Sequence, residues 1–233
     1  MQLERKQIIK YCCLISLMLG GSLALGFMFD DYLFLGSLTL FLGCLQTLLL
    51  SKGFWWEELV GIAEALVVSI VALSSNLYGT AIFTVLVYVP LSVFSLISWK
   101  KHQNGGVVKI NKMNTKTSVL LIVLLLVSIV IFSFLLSLVP NQNLPALDTI
   151  SNMLDICGII LIALRFKEGW IFWIMCSLAD FIMWGVLFLQ DNTVNSPMMI
   201  IVSFVNIIIN VFGYWSFIEI RKHQEKQLKI QIT

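Results

Sequence analysis

Apolar runs separated by short polar breaks recur eight times along the chain, near residues 8–29, 32–50, 56–75, 78–99, 117–139, 147–165, 169–189 and 197–219. Each approaches the ~20 residues that an α-helix needs to cross a hydrocarbon core of about 30 Å. The pattern therefore predicts about eight transmembrane helices. The run at 32–50 is short, and the run at 56–75 is interrupted by Glu64. The first run lacks a cleavage-site pattern and reads as a helix rather than a signal peptide.

Within the seventh run the polar positions fall into register. At about 100° per residue, Trp170, Trp173, Ser177, Asp180 and Trp184 share one narrow stripe of one helix. A carboxylate half-way along such a helix costs roughly 2.5–3.5 kcal/mol at the bilayer centre, so it faces protein or a water-filled path. Indole faces beside it attract cations. Glu64 and Asp155 occupy comparable depths in the third and sixth runs, with no Lys or Arg at that level to pair with any of the three. Their charge calls for water, hydrogen bonds, a bound cation or a proton. Glu57 shares a helical face with Glu64, and Asp148, Asn152 and Asp155 form a further stripe.

Composition agrees: 59% of the 233 residues are apolar and 12% charged, with a mean hydropathy of +0.94. A soluble domain carries about twice that charged fraction. This is the composition of a polytopic membrane protein. The net charge of +2 carries no nucleic-acid signal, because the charges cluster at the ends of apolar runs. Cys12, Cys13, Cys44, Cys157 and Cys176 lie inside those runs without metal-ligand spacing and read as small hydrophobes. His102 and His223 follow helix ends. No metal site, cofactor or histidine-based catalytic site is expected.

With eight spans, all fifteen Lys and Arg fall on the side of the N-terminus, from Arg5, Lys6 and Lys10 through Lys100 and Lys101 to Arg221 and Lys222. The opposite loops carry Asp30, Asp31, Asp191 and Pro140-Asn141-Gln142-Asn143. The positive-inside rule then places both termini in the cytoplasm. The chain also repeats: Ser92-Val93-Phe94 aligns with Asn210-Val211-Phe212, and each is followed by a basic pair and a histidine. In that register Tyr88, Ser92, Ser95 and Trp99 match Asn206, Asn210, Gly213 and Phe217. Runs two to four and six to eight become two parallel triple units, with the fifth as connector. Parallel repeats with a site between them at mid-depth are a known transporter plan.

The expected divisions are an extra N-terminal helix at 1–31, a first triple unit at 32–103, a cytoplasmic loop and linker helix at 104–146, a second triple unit at 147–220, and a cytoplasmic tail at 221–233. Trp55, Trp56, Trp99, Trp170 and Trp215 lie near helix ends, where interface anchoring competes with ligand stacking. Trp173 is deeper and favours stacking. Asn206 and Asn210, one turn apart, would hydrogen-bond either a solute or a neighbouring helix. Pro90 is expected to kink the fourth helix.

From about residue 32 to 220 the sequence resembles the nicotinamide riboside transporter (PnuC) family. The likeness is clearest in Asp148 to Trp173, where Glu168-Gly169-Trp170-Ile171-Phe172-Trp173 is similar to the family's Glu-x-Trp-x-x-Trp pattern. Leu77-Tyr78-Gly79, Trp99, and Asn210 followed five residues later by Trp215 add to it. The chain departs from relatives at Glu64 and Ser177, where they carry Asn, at Ser92 in place of Asn or Gln, and at Ile159 in place of a Gln. The resemblance implies a 3+1+3 helical core like that of SWEET sugar transporters, preceded here by the extra helix. It implies facilitated diffusion of a phosphate-free vitamin precursor across the bacterial inner membrane, followed by trapping by a cytoplasmic kinase. Homo-oligomers are compatible with it. Relatives handle thiamine, riboflavin or deoxynucleosides as well.

The expected substrate-binding set is Trp170, Trp173, Ser177, Asp180, Glu64, Ser92, Asn206, Asn210 and Trp215. An intramembrane aspartyl hydrolase built on Asp155 and Asp180 is the rival enzyme reading. It would need two carboxyls sharing a proton, and the flanking Leu-Asp-Ile and Ala-Asp-Phe lack the glycine-rich context of such enzymes.

Overall fold

Lipid reverses the usual inside-out logic of a helix, and α2 (Glu57–Ser74) shows it. Its large apolar side chains Leu59, Leu66, Ile70 and Leu73 are exposed, whereas Glu58, Gly61, Ala65, Ser69 and Ala72 are buried at helical spacing. Small and polar residues let helices approach in a bilayer while aliphatic ones meet lipid. In this computed structural model residues 33–104, 107–108, 110–111, 113–190 and 196–232 are described. The run expected at 8–29 lies outside the described residues.

α1 (Leu33–Ser51) precedes α2. The span Tyr78–Lys101 follows, made of α3 (Tyr78–Phe83), a π-turn at Thr84–Tyr88 and α4 (Val89–Lys101). α5 (Thr115–Ser137), α6 (Pro145–Ala163), α7 (Gly169–Leu189) and α8 (Ser196–Ile232) complete the described helices. Among the described residues six helices are long and apolar enough to cross a membrane, and α2 runs beside them with its three carboxylates. The helices lie within a few residues of the predicted runs, with two differences. α8 continues past 219 to Ile232, because nothing after Phe217 is a Gly or Pro that would end it. The loop after α4 forms a two-residue antiparallel pairing, Gln103 with Val108 and Asn104 with Val107.

The sequence sets the sharp helix ends. α1, α2 and α6 each stop on a left-handed residue, Gly53 (φ 74°), Asn76 (φ 55°) and Arg165 (φ 66°). In each, the next residue's N–H reaches back across the turn: Phe54 to Leu49 O (3.2 Å), Leu77 to Ala72 O (2.9 Å), Phe166 to Leu161 O (2.8 Å). This is the Schellman closure, for which Gly and Asn are the usual residues. Pro90 sits two residues after the π-turn. Its ring excludes the α-helical bond to residue 86, and the widened turn absorbs that loss within the span.

The helix contacts form a closed ring: α1 against α2 and α8, α2 against α3 and α4, those two against α6, α6 against α7, and α7 against α8. α5 packs on α6 from outside, and its exposed Leu120, Val130 and Phe134 present an apolar face to lipid. Two clusters fill the ring near its ends. One joins Leu40, Leu77, Met183, Trp184, Leu187, Met198 and Met199. The other joins Leu50, Trp99, Ile162, Trp170 and Phe217. The space between them is the site.

Candidate functional site

A central cavity of about 180 Å³ opens between the ring helices. Glu64 reaches it from α2, Asp155 from α6 and Asp180 from α7. Gln46 and Tyr88 line one wall, and Trp173, Trp184, Ser177, Asn206 and Asn210 line the other. Among the described residues that line it, none is Lys, Arg or His. Three carboxylates and two indoles thus converge on one space without a protein cation, the arrangement in which a ligand cation is attracted by charge and by aromatic faces together.

Each carboxylate is held differently. Asp180 accepts a short hydrogen bond from the Ser151 hydroxyl and a longer one from Cys176 Sγ at 3.6 Å. Asp155 faces the Trp173 indole N–H. Glu64 lies against Gly43 of α1, where an added Cβ would come within 2.5 Å of Oε1. The room beside Glu64 therefore comes from Gly43, while Gly61 gives room to Gln46. Gln46 donates to the Tyr88 hydroxyl at 3.3 Å, which ties α1 to the residue that ends the π-turn.

Trp173 is held from several sides. Its indole fits against Gly158 of α6, where a Cβ would lie 2.5 Å from Nε1. Trp170 meets it edge-on, with centroids 5.4 Å apart at 85°. The Trp173 carbonyl accepts from Ser177 Oγ (2.9 Å) and Asn210 Nδ2 (3.3 Å), and Asn210 Nδ2 also donates to Ser177 Oγ at 3.1 Å. Asn210 and Ser177 thus line the cavity and also fix the backbone that carries the indole.

Of the nine residues expected from sequence, the structure places six on the cavity: Glu64, Trp173, Ser177, Asp180, Asn206 and Asn210. Three lie elsewhere. Trp170 is fully buried one turn away, edge-on to Phe217 at 5.3 Å and seated against Gly213, so it buttresses Trp173 from behind. Ser92 is fully buried one turn beyond Tyr88, where α4 packs on the first turn of α2 and the serine approaches Glu58. Trp215 is 62% exposed. It lies about 140° around the helix from Asn210, which turns it outward. Sequence reasoning passed over Gln46, Thr80, Tyr88, Ser151 and Cys176 as lining residues. Gln46 is the one amide within an otherwise apolar run at 32–50, a signal that was available.

At one end of the cavity Asp148 joins the two halves of the ring. It is fully buried and accepts from Thr80 N (3.0 Å), Thr80 Oγ1 (2.6 Å), Gln142 Nε2 (2.8 Å) and Asn152 Nδ2 (2.8 Å). It sits in the first turn of α6 and faces the first turn of α3, so two helix N-termini stabilise its charge. Gln142 Oε1 accepts from Tyr78 N at 3.0 Å, and Asn143 Nδ2 donates to Ser75 O at 3.1 Å. At the other end, Trp99 Nε1 donates to Ile162 O at 2.9 Å, again linking α4 to α6.

A closed helical ring around a polar, carboxylate-lined cavity at membrane depth defines a multi-pass membrane transport protein. The chain belongs to the nicotinamide mononucleotide transporter family, whose profile matches residues 33–219. It is similar to the nicotinamide riboside transporter PnuC of Neisseria mucosa, 25% identical over 218 residues that make up 91% of this chain and 82% of that protein. The same transporter from Haemophilus influenzae is 24% identical over 184 residues, 77% of each chain. A crystal structure of the vitamin B3 transporter PnuC matches the fold with a TM-score of 0.77 at 23% identity, over 90% of both chains. The family is one of transporters, and the hydrolase reading of Asp155 and Asp180 falls with it.

Proposed function

We propose that the chain takes up nicotinamide riboside, or a closely related cationic heterocycle, by facilitated diffusion. The supporting observation is the cavity that Glu64, Asp155 and Asp180 line together with Trp173, with no basic side chain among the described lining residues. A pyridinium or thiazolium ring stacked on Trp173 brings the missing positive charge, and Asn206 and Asn210 are spaced to read its hydroxyls or amide. The same lining disfavours a phosphate, whose charge has the wrong sign and finds no Arg or Lys. The dephosphorylated nucleoside is therefore the better fit than the mononucleotide of the family description. Thiamine, whose thiazolium carries the same positive charge, is the alternative cation. Riboflavin and deoxynucleosides lack the charge that the site favours.

On this reading the two triple units, α1 to α4 and α6 to α8, rock about the cavity in a SWEET-like parallel repeat, preceded by the helix expected at 8–29. Both termini face the cytoplasm of a bacterial inner-membrane protein, and a separate kinase traps the product. Proton coupling through the cavity carboxylates is the mechanistic variant. A binding panel on purified protein tests the substrate. Nicotinamide riboside and thiamine against riboflavin, deoxynucleosides and nicotinamide mononucleotide should show saturable binding for a cation alone. Uptake into proteoliposomes with and without a pH gradient separates diffusion from coupling.

A further inference from the structure

At the start of α2, away from the cavity lining, lies a second concentration of buried oxygens. Glu57 is 0% and Glu58 1% exposed, and they are neighbours in the first turn. Ser92 and Ser95 of α4, both 0% exposed, approach Glu58, and Gln46 of α1 approaches Glu57. Five oxygen atoms here have no aligned hydrogen bond: both of Glu57, Oε2 of Glu58, and the hydroxyls of Ser92 and Ser95. A helix start with two acids in its first turn is ordinary, since they favour the dipole. Burying both of them with five neighbouring oxygens outside any aligned hydrogen bond is not, because a poorly satisfied buried polar group is costly and a buried charge more so.

We propose that Glu57, Glu58, Ser92 and Ser95 bind a small hard monovalent cation, Na⁺ being the one that suits the donor set. All the donors are oxygens, as hard cations require. Mg²⁺ keeps several waters, for which a fully buried pair leaves no room, and Ca²⁺ takes roughly six to eight oxygens, so it would need both carboxylates bidentate and both hydroxyls at once. The site lies behind the cavity wall and touches it through Gln46, which faces Glu57 on one side and donates to Tyr88 on the other. An ion held there joins α2 to α4 and, through Gln46 beside Glu57, reaches α1. Ser92 then has a role in a place other than the substrate cavity.

The test is thermal unfolding of the purified full chain in NaCl, KCl, choline chloride and CaCl₂ at matched ionic strength, with ²²Na⁺ binding measured in parallel. Na⁺ should raise the midpoint and bind saturably, with K⁺, choline and Ca²⁺ weaker. In the Ser92→Ala/Ser95→Ala double variant, which removes two oxygens and no charge, the half-saturating Na⁺ concentration should rise by roughly tenfold. Glu57→Gln/Glu58→Gln should lose the Na⁺ response. Identical midpoints in all salts with no saturable ²²Na⁺ binding would overturn the proposal and leave a protonated carboxyl pair. A Na⁺ response retained in both double variants would overturn the assignment to these residues. None of these readouts involves the transported solute, so the substrate proposal stands or falls separately.

Discussion

Gly158→Ala puts the seating of Trp173 to a test without touching any group that meets the solute. An added Cβ at residue 158 would lie 2.5 Å from the indole Nε1, whereas ordinary contact begins at 3.4 Å. Helix α6 is fixed on both sides by α5 and α7, so the indole rather than the backbone gives way, by about 1 Å. That displacement lifts the ring from the Asp155 carboxylate and from its edge contact with Trp170. Overpacking of this kind costs about 1–3 kcal/mol. If the cost is borne by the ligand-stacking geometry, it corresponds to a roughly 5- to 150-fold loss of affinity. Isothermal titration with nicotinamide riboside, alongside tryptophan fluorescence, reads both the affinity and the ring's environment. Gly185→Ala on α7 is the control, since a Cβ there meets nothing within 4 Å. Equal affinity in Gly158→Ala and wild type, with the protein folded, would refute the placement of Trp173 against the solute.

Glu64→Gln should weaken a cationic ligand by about 10- to 100-fold, from a gross Coulomb term of roughly 3 kcal/mol at ~5 Å and an effective dielectric near 20, and should leave neutral analogues nearly unaffected by titration. Asp148→Ala strands donors from Thr80, Gln142 and Asn152 and should lower stability by roughly 2–4 kcal/mol, seen as an earlier unfolding midpoint. Trp215→Ala should leave binding unchanged while Trp173→Ala abolishes it, because the first indole is exposed and the second lines the cavity. Comparable losses in both would contradict the orientation of α8.

The spans were legible because lipid demands about twenty apolar residues per helix, whichever neighbours they meet. Glu64 and Asp180 were legible for the same reason, as charges that a membrane does not tolerate without a purpose. The three displaced residues show what periodicity leaves out. Trp170 and Trp173 share a stripe, yet one turn of depth decides that the first packs on Phe217 and the second lines the cavity. Ser92 and Tyr88 share a face, but the π-turn and the crossing of α4 over α2 hand the serine to Glu58. Gly43 and Gly158, which make room for Glu64 and Trp173, act across helix pairs, and no spacing within one run encodes such a contact. Arg165 ends α6 in a left-handed turn that a sequence reader expects of Gly or Asn.

Positive charge on the solute, rather than its shape alone, is what Glu64, Asp155 and Asp180 are set to receive. The most direct measurement is the affinity of the purified protein for nicotinamide riboside against its reduced dihydropyridine form, which keeps the shape and loses the charge. The cation should bind at least about tenfold more tightly. Equal or tighter binding of the neutral form would contradict it.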